Sequence, residues 1–207
     1  MPSRAYYEER WQALEPGLEP PDLPVRLSFL REHVAEGDRV LDLGCGEGRF
    51  AAELAGLGAS VVAVDVAEEP LRRAGELHPQ LDLRLVALDG EWELPDASFD
   101  VVWAGEVIEH VADTAAWLSE TRRVLRSGGR LLLSTPAHGR LAMLRLALSR
   151  GALAEHFDPL GEHLRFYTRA SLTELLEEFR FESVDVQAAG RPWARRLLLA
   201  RAVRSRF

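Results

Sequence analysis

Two groups of residues in this chain could do chemistry. In Gly105-Glu106-Val107-Ile108-Glu109-His110-Val111, two carboxylates and an imidazole stand at i, i+3 and i+4, so a helical turn there would set Glu106, Glu109 and His110 on one face. Such a trio could hold a divalent cation, with His163 of Gly161-Glu162-His163-Leu164 as a distant further ligand, or His110 or His163 could act alone as a general base. The alternative is a structural one, in which the carboxylates cap or brace a helix and the imidazole packs. The second group is Val40-Leu41-Asp42-Leu43-Gly44-Cys45-Gly46-Glu47-Gly48-Arg49-Phe50, an apolar strand that runs straight into three alternating glycines and then a helix. Glycines let backbone N–H groups approach a ligand, and a helix N-terminus adds unpaired donors and partial positive charge. That turn suits a nucleotide.

The glycine spacing narrows the ligand. A dinucleotide fingerprint needs G-x-G-x-x-G, and the third glycine's place is taken here by Arg49, which argues against a nicotinamide oxidoreductase. The next apolar run, Ser60-Val61-Val62-Ala63-Val64, ends at Asp65, about 20 residues beyond the first glycine, where a carboxylate in such folds accepts the ribose hydroxyls. Asp65 also stands where it could cap the helix begun by Glu68-Glu69-Pro70, and one side chain can do both. A third strand, Leu81 to Leu88, ends at Asp89-Gly90, a pair equally at home in an ordinary turn.

The D-x-G-x-G-x-G form of Asp42 to Gly48 resembles motif I of class I S-adenosylmethionine-dependent methyltransferases. Leu94-Pro95-Asp96-Ala97-Ser98-Phe99-Asp100 resembles that family's approach to strand 4, and Arg123-Val124-Leu125-Arg126-Ser127-Gly128-Gly129-Arg130-Leu131 its "RVLxxGGxL" entry to strand 5. The resemblance runs in register from about residue 39 to 136 and more loosely to the end. It implies S-adenosylmethionine as cofactor and S-adenosylhomocysteine as product, bound by Asp42, Gly44, Cys45, Gly46, Asp65, Val66, Asp89, Gly90 and Glu106, with Asp89 at the adenine amino group. It also implies a sheet order of 3-2-1-4-5-7-6. The E-x-x-E-H pattern with a distant histidine resembles two metal-using branches, the ubiquinone-pathway O-methyltransferases and the small-RNA 3′-end methyltransferases. Metal-free members look like "EVIEHV" at the same place, so the metal site at Glu106, Glu109, His110 and His163 stands second to a metal-free reading. Tyr6-Tyr7-Glu8-Glu9-Arg10-Trp11 resembles the start of small-molecule enzymes in which an aromatic and a basic residue close over the donor, with Arg10 meeting its carboxylate.

Composition agrees with an α/β enzyme. At 207 residues and 47% hydrophobic, with no linker or repeat, the chain reads as one domain, residues 1–207, with 1–36 a helical lid and 137–168 an acceptor-side connector. Strands alternate with helices at 24–35, 47–57, 68–76, 112–125, 139–149 and 169–178, which predicts a Rossmann-like, mostly parallel seven-stranded sheet with helices on both faces. Strands near 181–187 and 196–202 would close it as an antiparallel hairpin. The connector's Leu141, Met143, Leu144, Leu146 and Leu148 nearly encircle their helix, which predicts a buried helix, or one that covers a hydrophobic acceptor. Cys45, the single cysteine, excludes a disulfide framework and reads as a small packed residue. No leader and no apolar run of spanning length is seen, hence an expectation of a soluble cytoplasmic protein without a membrane span. A net charge of −8 disfavours a nucleic acid partner and favours a small-molecule acceptor; the resemblance implies methylation at oxygen, with nitrogen or carbon as alternatives. The E-x-x-E-H likeness and the run Arg191, Arg195, Arg196, Arg201, Arg204, Arg206 keep an RNA-end methyltransferase as an alternative. Those arginines would otherwise be a solvated edge. A non-catalytic module that binds S-adenosylmethionine or S-adenosylhomocysteine is the other alternative.

Overall fold

The computed structural model describes residues 3–88, 90–158, 161–191 and 194–206. Seven strands, β1 (Arg39–Leu43), β2 (Ser60–Asp65), β3 (Asp82–Leu85), β4 (Phe99–Gly105), β5 (Leu125–Pro136), β6 (Phe181–Arg191) and β7 (Ala194–Arg204), form one sheet in the order β3-β2-β1-β4-β5-β7-β6. Neighbours from β3 to β5 pair in parallel, and β7 runs antiparallel to both β5 and β6. This is the expected order. The parallel strands read as nearly continuous apolar runs because helices cover both faces.

Alternation along each strand sorts the core into two layers. Leu41, Leu43, Val102, Ala104, Leu131 and Leu133 point to the side occupied by α5 (Thr114–Val124) and α8 (Arg169–Glu178), where they meet Leu118, Leu172 and Leu176. Val40, Val101, Trp103 and Leu132 point the other way, to Leu23, Leu27 and Leu30 of α2 (Leu23–His33) and Phe50 and Leu54 of α3 (Arg49–Gly56). The Trp103 and Phe50 rings meet edge to face at 5.4 Å. Helix α4 (Glu68–Leu77) follows β2 on the α3 side, where its Leu71 packs on a small cluster of Cys45, Ala51 and Ala63. The N-terminal segment forms α1 (Arg4–Ala13), started by the Ser3 hydroxyl accepting from Tyr6 N–H.

Three expectations are corrected. The connector forms two helices, α6 (Arg140–Ala147) and α7 (Arg150–His156), and they are not buried: Leu144 is 59% and Leu148 81% exposed, and α7 has no buried residue. Leu144 and Leu148 therefore serve neither the core nor the main cavity. The arginines of the final strand are not a solvated edge, because β7 lies, as the expected order has it, between β5 and β6. Its Arg204 reaches inward, donating from Nη1 to the carbonyls of Arg123 and Leu125 at the α5–β5 junction.

No helix among the described residues is long and apolar enough to cross a membrane. Trimming the fully buried Leu118 to Ala should lower the unfolding free energy by about 2–5 kcal/mol. Leu148→Ala, by contrast, should stay within about 0.5 kcal/mol of wild type. Urea midpoints at unchanged slope would check both.

Candidate active site

The turn after β1 is shaped by what lies around it. Gly44 and Cys45 donate their N–H groups to the Val64 carbonyl, 2.9 Å each, which folds the turn against the end of β2. Gly44 and Gly46 hold φ of 74° and 54°, in the left-handed region. A Cβ on Gly44 would lie 2.6 Å from Val107, and one on Gly46 2.9 Å from the Trp11 ring, so neither site has room for a side chain. Asp65 binds the turn directly: Oδ2 accepts from Gly46 N–H at 3.0 Å and Oδ1 from Ala67 N–H at 3.1 Å, just before α4. Burial pushes its carboxyl up, and those N–H groups oppose the shift.

Above this turn and the ends of β1, β2 and β4 lies a cavity of about 980 Å³. That volume is at the upper end of the roughly 300–1,000 Å³ range of small-molecule sites. Of the expected cofactor residues, Gly44, Asp65, Val66, Gly90 and Glu106 line it. Asp89 lies outside the described residues. Asp42, Cys45 and Gly46 are beneath the surface of the cavity instead of in its wall. Asp42, 1% exposed, accepts from the Ala51 backbone N–H near the start of α3, and burial together with the charge of Asp65 pushes its carboxyl up to about 7. The buried Cys45 thiol is likewise pushed up, which fits a packed residue and not a nucleophile.

Helix α1 supplies Tyr7, Arg10 and Trp11 to the cavity wall, with Leu14 following. It is tied to α4 at both ends. Glu8 of α1 accepts from the Glu68 and Glu69 N–H groups at the start of α4, at 2.8 and 3.2 Å. Arg73 of α4, only 6% exposed, donates to the Trp11 and Leu14 carbonyls at the end of α1, at 2.8 and 3.1 Å, and to Glu47 of the glycine turn at 3.0 Å. Each helix thus caps the other's free backbone groups. Arg10, which the resemblance sets at the donor carboxylate, stands in the cavity wall and pairs with Glu162 at 3.0 Å.

Past β4 the chain does not make the anticipated helical face. Glu106 sits at φ 59°, a conformation that costs a non-glycine residue about 1–3 kcal/mol, and only Ile108–His110 form a single 3-10 turn. The three side chains therefore diverge. Glu106 faces Arg26 of α2, 3.1 Å away and 2% exposed. The contact is an ion pair more than an aligned hydrogen bond, since Arg26 Nε and Glu106 Oε1 have no hydrogen-bond partner among the described residues. Glu109 is fully buried and accepts from Thr135 Oγ1 at 2.9 Å, and burial, then the charge of Glu106, pushes it up to about 8. Its carbonyl accepts from Leu164 and Arg165 N–H at 2.8 and 3.0 Å, which pins the 162–167 segment here.

His110 lines the cavity. Its Nδ1 is 3.0 Å from the Glu162 carbonyl; a carbonyl can only accept, so Nδ1 carries the proton and Nε2 keeps a lone pair. His163 stacks edge-on at 4.9 Å behind it. Burial lowers the pKa of both rings, and His163 is lowered further by His110, so both are held neutral. Glu109, His110 and His163 bring one ligand atom each within 4.8 Å of one another, a set that suits a divalent cation. Glu106, expected to complete that set, is turned to Arg26.

Arg26, Arg73 and Glu8 were not foreseen from the sequence. Arg26 had a signal, since it occupies the apolar stripe of α2 with Leu23, Leu27 and Leu30. Arg73 and Glu8 had none, because their partners lie on another helix.

The fold and this cavity define a class of enzyme. The profile of a methyltransferase-domain family matches residues 18–186. A probable S-adenosylmethionine-dependent methyltransferase of Mycolicibacterium smegmatis is 40% identical over 154 residues, 74% of this chain and 55% of the relative. A ubiquinone biosynthesis O-methyltransferase of Xylella fastidiosa is 35% identical over 185 residues, 85% of this chain and 74% of that protein. The solved structure of Burkholderia thailandensis 1,6-didemethyltoxoflavin-N1-methyltransferase, with bound 1,6-didemethyltoxoflavin and S-adenosylhomocysteine, superposes with a TM-score of 0.66 at 23% identity, covering 97% of this chain and 84% of that one. The chain belongs to the class I S-adenosylmethionine-dependent methyltransferases and is an enzyme that uses that cofactor.

Glu109 sets a pH dependence. Between the usual carboxyl range and about 8, the unfolded chain releases a proton that the folded protein keeps, so this group's contribution to stability falls as pH rises. Glu109→Gln should therefore gain stability over wild type progressively from about pH 5 to pH 8, by about 1 kcal/mol or more at the upper end. Parallel curves for the two proteins, by urea unfolding at several pH values, would show that this carboxyl titrates normally.

Proposed function

We propose that this enzyme methylates a small-molecule acceptor at an oxygen atom, with His110 as the base, and that α1 is a lid over the donor. What carries the reading is the His110 imidazole, held neutral in the cavity wall with its Nε2 lone pair unspent by the Glu162 contact. The ubiquinone biosynthesis O-methyltransferase relatives support oxygen as the methylated atom.

Bound S-adenosylmethionine supplies a methyl group on a sulfonium, already a strong electrophile, which leaves the protein positioning and one proton to manage. Asp65 would accept the ribose hydroxyls while its N–H partners keep the carboxylate in place. Gly44 would let the donor lie against bare backbone, while Gly46, packed under Trp11, would hold the turn to Asp65. Val66 and Gly90 would border the adenine, with Asp89 at its amino group, and Glu106 would border the methionine end. Cys45 and Asp42 would act from below, by filling the turn and by holding the start of α3. His110 Nε2 would take the proton from an acceptor hydroxyl, with burial keeping the ring neutral and His163 packed edge-on against it. Since Arg26 engages Glu106, a metal-free mechanism is favoured, and chelation should leave turnover unchanged.

Asp65→Ala should weaken S-adenosylhomocysteine binding by roughly 1.5–3 kcal/mol in calorimetric titration. His110→Ala should lower turnover against an acceptor panel at nearly constant donor affinity; equal loss of both would indicate damage to the site, and wild-type turnover would remove the base role. Arg73→Ala should release α1 and speed S-adenosylhomocysteine dissociation by about tenfold in stopped-flow chase, on the scale of losing hydrogen bonds to a charged group. An unchanged rate would show that α1 does not gate the donor.

A further inference from the structure

The charged residues of the cavity wall are Arg10, Asp65, Glu106, Asp113, Glu162 and Arg165. Five of the six are already occupied. Arg10 and Glu162 neutralise each other at 3.0 Å, Glu106 faces Arg26, Asp65 is held by Gly46 and Ala67, and Asp113 accepts from Ala116 N–H at 2.9 Å as the cap of α5. Arg165 has no carboxylate within ion-pair distance among the described residues. Its guanidinium is nonetheless fixed, with Nη2 donating to the Ala112 carbonyl at 2.7 Å and Nη1 to the Leu164 carbonyl at 3.0 Å. Its backbone N–H is tied to the Glu109 carbonyl, one residue from His110. A guanidinium has five N–H donors in a rigid fork, so donors remain for a second partner.

We propose that Arg165 is a specificity-determining residue that binds a carboxylate of the acceptor, and that the acceptor is an apolar hydroxy acid. This rests on the reading of the cavity as a methyl-transfer site. Apolar walls at Tyr7, Trp11, Val107 and Val111 would take the body of such a molecule, with its hydroxyl toward His110 and its carboxylate at the exposed rim where Arg165 stands. The protein as a whole carries −8 and repels anions at long range, so a preference for a carboxylate must come from a local cation.

The test titrates a hydroxycinnamate and its methyl ester, equal in shape and different in charge, into the full-length protein saturated with S-adenosylhomocysteine, read by tryptophan fluorescence. The acid should bind about tenfold or more tighter than the ester, the scale of a charge-assisted bidentate contact. Arg165→Gln should bring the ratio near one and Arg165→Lys should keep part of it, both with unchanged S-adenosylhomocysteine affinity. A wild-type ratio near one, a ratio that survives Arg165→Gln, or no binding of the acid would overturn the inference while leaving the methyl-transfer reading intact. Failure of S-adenosylhomocysteine itself to bind would instead remove the reading on which it rests.

Discussion

The hydrogen bond from Gly46 N–H to the Asp65 carboxylate joins the two strand ends on which the site is built. It fastens the turn after β1 to the end of β2, and the same carboxylate reaches Ala67 at the entry to α4. The Val64 carbonyl adds two further bonds to Gly44 and Cys45, so the turn is fixed by the strand next to it and does not depend on its own short sequence for shape. A left-handed backbone at Gly44 and Gly46 follows, and with it the close approach of Val107 and Trp11. The turn beneath the cavity is in this sense bare backbone held open by a neighbouring carboxylate.

Charge is then distributed with economy in a region that excludes water. Asp42, Asp65 and Glu109 are buried and Glu106 is half-buried, and the buried Arg26 is paired with Glu106. The result is predictable from desolvation: Asp42 is pushed to about 7 and Glu109 to about 8, while His110 and His163 are held neutral. A neutral imidazole with one nitrogen committed to a carbonyl is a better proton acceptor than a charged one, and the same burial that disfavours the carboxylates produces it.

The roof of the cavity is held by a different logic. Glu8 and Arg73 satisfy the free N–H and carbonyl groups of each other's helices, groups that every helix end leaves open. Arg73 also contacts Glu47 in the glycine turn, so the roof and the floor share one buried guanidinium. The α6–α7 pair stands apart from this framework, with Leu144, Leu148 and Leu153 exposed.

The sequence by itself determined the strand–helix alternation, the sheet order through its family likeness, and the place of Gly44, Gly46 and Asp65. These are local features, set by apolar periodicity and by glycines whose neighbours in the chain define the turn. It misjudged Glu106, because the i, i+3, i+4 spacing presumes a helix and the chain leaves β4 with a left-handed residue there. The buried Arg26 that Glu106 faces comes from a helix 80 residues earlier, a separation no spacing rule spans. It misjudged the connector, because leucines around a helix show only that apolar surface exists, not what covers it. The partner of Arg10, Glu162, lies 152 residues along the chain and was likewise not legible. Tertiary structure alone decided which buried charges meet, since desolvation and pairing depend on distances across the fold, and those distances set the ionisation of the groups around the cavity.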